Sequence, residues 1–263
     1  MPLSTRAIGL VAMLAISMAA SPMMATEVKV GGIGIVKPTY EGSDEYEVVG
    51  APFVFPVFSA GSSGVFAING ADDVRLRIIQ HQGFEGGILG GYAFGRDQDD
   101  GDLLHGLGDV DGGFVAGAYA GYRVGSALFD VSYHRIVSGD TGGYFRFGVT
   151  NTYRASERLK LKARVGTTYV DGDYMSEYFG ITAAQSARSR AGLAAYDADA
   201  GFKDVHVGLT ATYDLTPRWV LMSGVGYKRL IGDAADSPVV ESEDQFQARF
   251  GVTYRFSIDG HRY

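Results

Sequence analysis

The sequence predicts an all-β protein: a transmembrane antiparallel β-barrel of about twelve strands that follows an N-terminal signal peptide. Three observations favour this fold. Many segments alternate apolar with polar residues, as strands with one face toward lipid do. Short and longer connections between these segments alternate along the chain. An export signal opens the chain, and no later apolar run is long enough for a transmembrane helix.

The clearest predicted strand lies between Asp244 and Phe256. One of its faces is apolar, because every second residue from Phe246 to Phe256 is Phe, Ala, Val or Tyr. The other face carries Gln245, Arg249 and further polar residues. Such a strand suits either a large soluble β-sandwich or a membrane barrel, so the remaining segments have to decide between the two.

Eleven further segments show the same alternation. The segment at 48–58 is the least regular, because Pro52 and Pro56 cannot donate to a strand ladder. Connections after the first, fifth, seventh, ninth and eleventh strands are the longer ones, and only the short one after the third breaks the rule. This asymmetry is typical of outer-membrane barrels and favours a barrel over a sandwich. The segments are 28–37, 48–58, 64–69, 73–81, 85–95, 114–122, 127–133, 145–153, 159–169, 205–213 and 219–227.

Composition supports this fold and excludes some functions. Glycine makes up 38 of 263 residues, about twice its usual share of ~7%, which suits many strands and tight turns. The formal charge of −7 gives no support for nucleic-acid binding, and the absence of cysteine excludes disulfides. Aromatic residues gather near the predicted strand ends, where an interfacial girdle would place them.

Residues 1–25 are predicted to be a cleaved signal peptide. Arg6 precedes the apolar run from Ile8 to Ala20, and Ala25 ends a stretch of small residues. An uncleaved anchor is the alternative. We therefore expect a barrel domain at 26–263, in the outer membrane of a Gram-negative bacterium, with a short C-terminal tail at 257–263.

The sequence offers little catalytic or metal-binding chemistry. The acidic run Asp97–Asp102 departs from a calcium loop at several positions and is interpreted as a solvated loop, with divalent ions that bridge it to lipopolysaccharide as the alternative. Ser132 and His134 share a strand face, but residues two apart are not expected to form a dependable hydrogen-bonded pair. We expect no catalytic residue, cofactor or metal; a surface hydrolase built on His134 is the minor alternative.

Charged residues on the polar faces are predicted to point into the lumen, because an isolated charge in lipid is costly. Two interpretations stay open, a narrow pore that favours anions and a plugged barrel whose charges pair across the lumen. The predicted basic residues are Arg75, Arg77, Arg146, Lys160, Lys162, Arg164, Arg249 and Arg255, with Asp130 and Asp214 among the fewer acids.

Several stretches resemble the MltA-interacting protein (MipA/OmpV) family of outer-membrane proteins. The resemblance spans nearly the whole chain after the signal segment. Its motif residues, with Gln185, Tyr196 and Trp219, lie mostly in the predicted loops. The motif residues in the loops are Tyr40, Gly42, Ser43 and Asp44 in 38–46, Tyr178, Phe179 and Gly180 in 178–181, and Gly232, Asp233, Ser237 and Pro238 in 232–240, of which the last stretch is the most specific.

The last strand also resembles the assembly signal of outer-membrane barrels, with Arg249, Gly251, Tyr254 and Phe256. The family tends to end at its last aromatic residue, whereas this chain continues to Tyr263. Either the tail is a periplasmic extension, or Tyr263 shifts the end of the strand.

The resemblance implies a non-enzymatic scaffold that links a lytic murein transglycosylase to a peptidoglycan synthase, surrounded by outer-membrane lipid and lipopolysaccharide. A small-solute channel or receptor, or a surface adhesin, is the alternative. Neither role brings catalytic residues with it.

Overall fold

Twelve strands form one antiparallel sheet in the computed structural model, which describes residues 25–58, 66–138 and 141–257. The predicted fold is confirmed, and the predicted strands differ from the observed ones only at their ends. Residues 64 and 65 of the predicted third strand lie outside the described residues, as do 1–24 of the predicted signal and 258–263 of the tail. The strands are β1 (Ala25–Pro38), β2 (Tyr46–Phe58), β3 (Phe66–Gly70), β4 (Asp73–His81), β5 (Phe84–Ala93), β6 (Gly113–Val124), β7 (Ala127–Ile136), β8 (Gly143–Arg154), β9 (Leu159–Val170), β10 (Gly201–Asp214), β11 (Trp219–Leu230) and β12 (Asp244–Ser257).

The sheet is rolled into a barrel. Its strand order is β2-β1-β12-β11-β10-β9-β8-β7-β6-β5-β4-β3, so β9 and β3 are six positions apart. Neighbouring strands lie about 4.8 Å apart, which would separate β9 from β3 by about 29 Å in a flat sheet. Lys162 Nζ on β9 nevertheless donates to Asn69 Oδ1 on β3 at 3.4 Å. Only a curled sheet brings these two side chains together across an interior.

The prolines of β2 are accommodated because β2 is an end strand of the described sheet. Pro52 faces Gly32, and Pro56 faces Val28, in the ladder with β1. Proline is tolerated where its missing N–H faces away from a partner strand. The strand predicted at 48–58, the least regular of the set, is therefore confirmed. The position of β2 at the end of the described sheet explains its two prolines.

The outer face of the barrel is apolar and carries an aromatic belt near each end. Phe250 and Leu209 are more than half exposed along the middle of their strands. Near one end Trp219 and Tyr254 pack edge to face with ring centroids 4.9 Å apart, and near the other Tyr227 packs on Phe246 at 5.1 Å. Amphipathic rings at both margins of an apolar band are typical of a barrel that spans a bilayer.

The two ends of the barrel differ in their connections. At the turn end, β4–β5, β6–β7, β8–β9 and β10–β11 are joined by two to four residues, and this end also holds the start of β1 and the end of β12. The loop end carries the long connections, in which lie α1 (Gly172–Phe179), α2 (Ala183–Arg188) and α3 (Asp233–Asp236). Among the described residues its tight turn is β3–β4, formed by Ala71 and Asp72 in the gap between the strands predicted at 64–69 and 73–81. By the usual rule, the turn end faces the periplasm.

Two of the helices have clear local causes. Asp171 caps α1 by accepting a hydrogen bond from the Tyr174 backbone N–H at 3.0 Å. Thr182 and Gln185 form a reciprocal capping box at the start of α2. The predicted strands leave 171–200 as a connection, and the Thr182-x-x-Gln185 pattern within it is the sequence signal of α2.

The loop end holds the apolar core of the molecule. Residues from several connections are almost completely buried there, among them Leu104, Met175, Phe179, Leu230 and Val239. A barrel that exposes apolar residues to lipid has its water-excluded packing elsewhere, and in this chain the long loops supply it. No helix among the described residues has the length and hydrophobicity needed to cross a bilayer.

Candidate functional site

The predicted motif loops pack against one another into a cap over the loop end. Tyr40 donates its hydroxyl hydrogen bond to the Val239 carbonyl at 3.1 Å and to Glu241 Oε2 at 2.9 Å. Burial and the Glu241 carboxylate raise the pKa of the Tyr40 phenol, so it stays a donor. The first and last long loops are thereby joined. We call this assembly of residues 39–45, 171–200 and 231–243 the cap.

Gly42 and Ser43 meet β12 through one glutamine. The Gly42 N–H donates to Gln245 Oε1 at 3.2 Å, and Gln245 Nε2 donates to the Ser43 carbonyl at 3.1 Å. Gly42 has a φ of 106°, and a Cβ there would lie 2.8 Å from Val240 Cγ2. Glycine is required at this position by both the backbone conformation and the close approach of Val240. Asp44, the next motif residue, is exposed.

The motif at 178–180 ends helix α1 and anchors it. Phe179 is buried, and its carbonyl accepts from the hydroxyl of Ser237. The Tyr178 carbonyl accepts from Arg96 Nη1 at 2.7 Å. Gly180 caps the helix by donating its N–H to the Met175 and Ser176 carbonyls. The motif residues of this loop and of 232–240 therefore lie in one packed unit.

The remaining motif residues shape the last loop of the cap. Gly232 has a φ of 58° and precedes α3. The Asp233 carbonyl accepts from the Tyr196 hydroxyl at 2.9 Å. Pro238 lies half-buried between the buried residues Ser237 and Val239. All of these contacts hold loops together, and none resembles a catalytic arrangement.

A cluster of charges lies beneath the cap. The Glu41 carboxylate accepts from Lys228 Nζ at 2.8 Å and also from Lys203 Nζ. Lys203 in turn lies 3.3 Å from Asp204 Oδ2, and Asp204 Oδ1 contacts His206 Nδ1 at 2.8 Å. Burial alone would raise the pKa of Glu41, but the two ammonium groups outweigh it and lower this pKa to about 2.

A second polar layer lies inside the barrel near the loop end, around the β3–β4 turn. The Asp72 carboxylate forms an ion pair with Arg146 Nη2 at 2.8 Å and accepts from the Tyr144 hydroxyl. The backbone carbonyl oxygen of Asp72 lies 3.3 Å from His134 Nδ1. The His134 ring stacks on Tyr144, with centroids 4.7 Å apart.

Ser132 and His134 correct one expectation. His134 Nε2 lies 3.0 Å from Ser132 Oγ, so the two residues do form a hydrogen-bonded pair. Both face the lumen on β7, where side chains two residues apart can lean toward each other. The pair is 0–1% exposed, and Arg75 also approaches the serine oxygen. A substrate has no access to it.

A third layer is organised by Asp130. This carboxylate receives Arg164 Nη1 at 2.7 Å and Arg75 Nη2 at 3.1 Å, and its side chain is 1% exposed. Arg75 is also held by Asp73 at 2.8 Å. Two guanidinium groups from β4 and β9 thus meet on one carboxylate of β7, so these three charges pair across the interior.

A cavity of about 270 Å³ lies on the turn-end side of this layer. The predicted lumen residues Arg75, Arg77, Lys162 and Arg164 line it, with Arg123 in addition. Arg146 lies in the second layer instead, where it pairs with Asp72, and Lys160 is exposed near the start of β9. Acidic residues of the lining are Glu85 and Asp130, so the cavity has more basic than acidic groups. The other lining residues are Phe66, Ala67, Asn69, Tyr119, Leu128, Thr150 and Thr152.

The predicted assembly residues of β12 divide between the two faces. Arg249 and Gly251 face the interior, where Arg249 Nη2 donates to Thr210 Oγ1 at 2.9 Å. Tyr254 and Phe256 lie outside, with ring centroids 4.5 Å apart in the turn-end belt. Asp214 accepts from Arg255 Nη2 at 2.7 Å.

The acidic loop is held by hydrogen bonds within the loop itself. The Asp97 N–H donates to Asp100 Oδ2, and the Gln98 N–H donates to Asp109 Oδ1, each at 2.8 Å. Within residues 25–58, 66–138 and 141–257, no group of three or more His, Cys, Asp or Glu residues is arranged to hold a metal.

Comparison with known proteins identifies the family. The model of the family described as MltA-interacting protein MipA matches residues 30–256. The chain belongs to the MipA family. It is 26% identical to the outer membrane protein OmpV of Vibrio cholerae serotype O1 over 203 residues, which is 76% of this chain and 74% of OmpV. It is 36% identical to the outer membrane protein YiaT of Escherichia coli K12 over 99 residues, 38% of this chain and only 39% of YiaT.

Among solved structures, an outer membrane channel of Pseudomonas putida F1 aligns with a TM-score of 0.40 at 12% identity, over 90% of this chain and 97% of that one. The relatives are named outer membrane proteins, and the apolar band with its two aromatic belts fits that location. This MipA-family chain is an outer-membrane β-barrel protein.

Proposed function

We propose that this MipA-family barrel is a non-enzymatic scaffold of cell-wall assembly, which holds a murein hydrolase and a peptidoglycan synthase at the inner side of the outer membrane. The observation that carries the proposal is the family match over residues 30–256, because the family is described by its interaction with MltA. MltA is a lytic transglycosylase. We expect the apolar outer face of the barrel to contact outer-membrane lipid and lipopolysaccharide.

The asymmetry of the barrel supports docking at the turn end. The cap buries or half-buries its motif residues at the loop end, except Asp44 and Gly232, whereas the turns Ala155–Arg158 and Leu215–Arg218 are exposed. Arg158 and Arg218 present positive charge there. Rim charges of this kind mainly set association rate and specificity, so they are suitable for recruiting an acidic partner surface.

Co-purification tests the scaffold. The mature barrel in detergent is expected to retain a lytic transglycosylase and a peptidoglycan synthase from membrane extracts. The double substitution Arg158→Glu and Arg218→Glu should reduce this recovery several-fold, while Arg188→Glu on the exposed face of α2 should not. Recovery of neither enzyme by the unaltered barrel would contradict the proposal.

A small-solute channel is the second candidate, favoured by the basic cavity at the turn end. The cap and the layers around Asp72 and Asp130 argue against free passage. We therefore expect a planar bilayer with the reconstituted barrel to show no conductance steps. Regular steps that prefer anions would favour the channel instead.

A further inference from the structure

Arg249 reaches across a neighbouring strand because the intervening residue is glycine. Gly224 on β11 lies directly opposite Arg249 on β12. A Cβ at position 224 would lie 2.8 Å from Arg249 Nε, so any larger residue would displace the guanidinium. The arginine instead lies over Gly224 and donates to Thr210 Oγ1 on β10 at 2.9 Å.

Lys162 lies beside the same threonine from the other direction. The ladder between β9 and β10 pairs Lys162 with Thr210, so both side chains share the inner face. Thr210 in turn pairs with Gly224. The register therefore sets Lys162, Thr210, Gly224 and Arg249 in one row across four strands. Within this row Arg249 donates to the Thr210 hydroxyl, and Lys162 stands opposite Thr210 on the neighbouring strand.

Neither of these two cations has an acidic partner among the described residues. Lys162 Nζ donates to the neutral Asn69 Oδ1, and Arg249 donates to the neutral Thr210 hydroxyl. No carboxylate of the described residues lies within the 4.0 Å of an ion pair from either group. Asp130, a lumen acid in the same cavity wall as Lys162, already neutralises Arg75 and Arg164. Like charges in a partly desolvated interior repel, which a bound anion would relieve.

Space for such an anion exists next to Lys162. The turn-end cavity of about 270 Å³ has the Glu85 and Asp130 carboxylates in its wall, and Arg249 does not line it but shares a row with Lys162. Lys162, Arg164 and the Thr150 and Thr152 hydroxyls also line the cavity. These groups are hydrogen-bond donors toward an anionic oxygen. The volume lies just below the ~300–1,000 Å³ of sites for drug-sized ligands, so it suits a small ion.

We propose that Lys162 and Arg249 form a binding site for a small anion that carries a carboxylate or phosphate group and enters from the turn end. Arg249 supplies the planar fork that such groups accept, and Lys162 supplies a compact charge. Gly224 and Thr210 position the arginine. The site goes beyond scaffolding, because it needs neither a protein partner nor conduction.

Calorimetric titration of the mature barrel in an uncharged detergent tests the site. Inorganic phosphate and acetate serve as separate probes at low ionic strength, and their difference decides which oxyanion is preferred. We expect one saturable site. Lys162→Gln and Arg249→Gln should each weaken binding at least about tenfold, as the loss of a charge-assisted hydrogen bond does. Lys160→Gln, which removes an exposed lysine two residues away on the same strand face, is the matched control and should change binding little.

The substitution Gly224→Ala tests whether the position of Arg249, and not only its positive charge, is needed for anion binding. It keeps every cation but moves Arg249, so the affinity should fall, while Lys162→Arg should retain it. If Gly224→Ala prevents folding, Thr210→Val removes the hydroxyl that holds Arg249 and serves the same comparison. The proposal is overturned if neither probe binds saturably, if Lys160→Gln weakens binding as much as Lys162→Gln, or if the positioning variant binds normally. These outcomes are independent of whether cell-wall enzymes co-purify.

Discussion

The hydroxyl of Tyr40 lies 2.9 Å from Glu241 Oε2, although 201 residues separate the two in the chain. The bond joins the loop after the first strand to the loop before the last, on either side of the β1–β12 ladder. Both loops contain residues of the family motifs. The motifs of this MipA-family chain therefore have a common physical role, which is to build the cap.

Gly42 gives the sharpest test of the cap. Gly42→Ala places a Cβ 2.8 Å from Val240 Cγ2 at a φ of 106°, so we expect a loss of about 1–3 kcal/mol in the free energy of unfolding. Urea unfolding in detergent measures it. Gly34→Ala is the control, since its Cβ would meet no atom within 4 Å, and its effect should be within about 0.5 kcal/mol. Equal effects of the two substitutions would show that the cap does not constrain Gly42.

Acid stability should depend on Glu41. The folded-state pKa of about 2 lies below the ordinary value of 4.5, so the contribution of this carboxylate is complete above pH 4.5 and is lost as the pH falls toward 2. A shift of this size corresponds to about 3 kcal/mol. In unfolding experiments the difference between the unaltered protein and Glu41→Gln should shrink across that interval.

The exposed ion pair of Glu243 with Arg229 provides the control for this pH dependence. Glu243→Gln should change stability by less than about 1 kcal/mol, because exposed ion pairs are screened by solvent. A difference between Glu41→Gln and the unaltered protein that stays constant from pH 5 to pH 2 would contradict the assignment.

The strands were predictable from sequence because alternation is a local property. β12 could be read directly from Phe246 to Phe256, since each side chain's face depends only on its position in the strand. The inward direction of Arg75 and Arg164 followed from the same rule and from the cost of a charge in lipid.

The cap was not predictable, because its contacts join residues that are distant in the chain. Nothing near Ser237 in sequence indicates that its hydroxyl contacts the Phe179 carbonyl. Apolar residues within loops, such as Leu104 and Val239, were the one available signal of a core outside the strands. The Lys162–Arg249 site likewise depends on register, since Gly224 matters only through the strand that it faces.

The buried pair of Ser132 and His134 should be chemically silent. A serine-reactive fluorophosphonate should leave the folded barrel unlabelled, because Ser132 is 1% exposed and its oxygen also contacts Arg75 at 3.4 Å. Mass spectrometry of the digested protein detects any adduct. Labelling of Ser132 that disappears in His134→Ala would reveal a hydrolase and contradict the non-enzymatic proposal.

Asp130 should be the most sensitive position inside the barrel. Asp130→Asn preserves the shape of the side chain but leaves Arg75 and Arg164 without their shared counterion, and removing one partner of a buried ion pair typically costs about 3–5 kcal/mol. Asp73 still neutralises Arg75, so the loss should lie near the lower figure. Urea unfolding measures this loss, with the exposed Asp102→Asn as the control.

Because the two guanidinium groups repel each other in Asp130→Asn, added phosphate should restore part of the lost stability. An unchanged midpoint for Asp130→Asn would show that the arginines pair elsewhere and that this layer does not hold the lumen together.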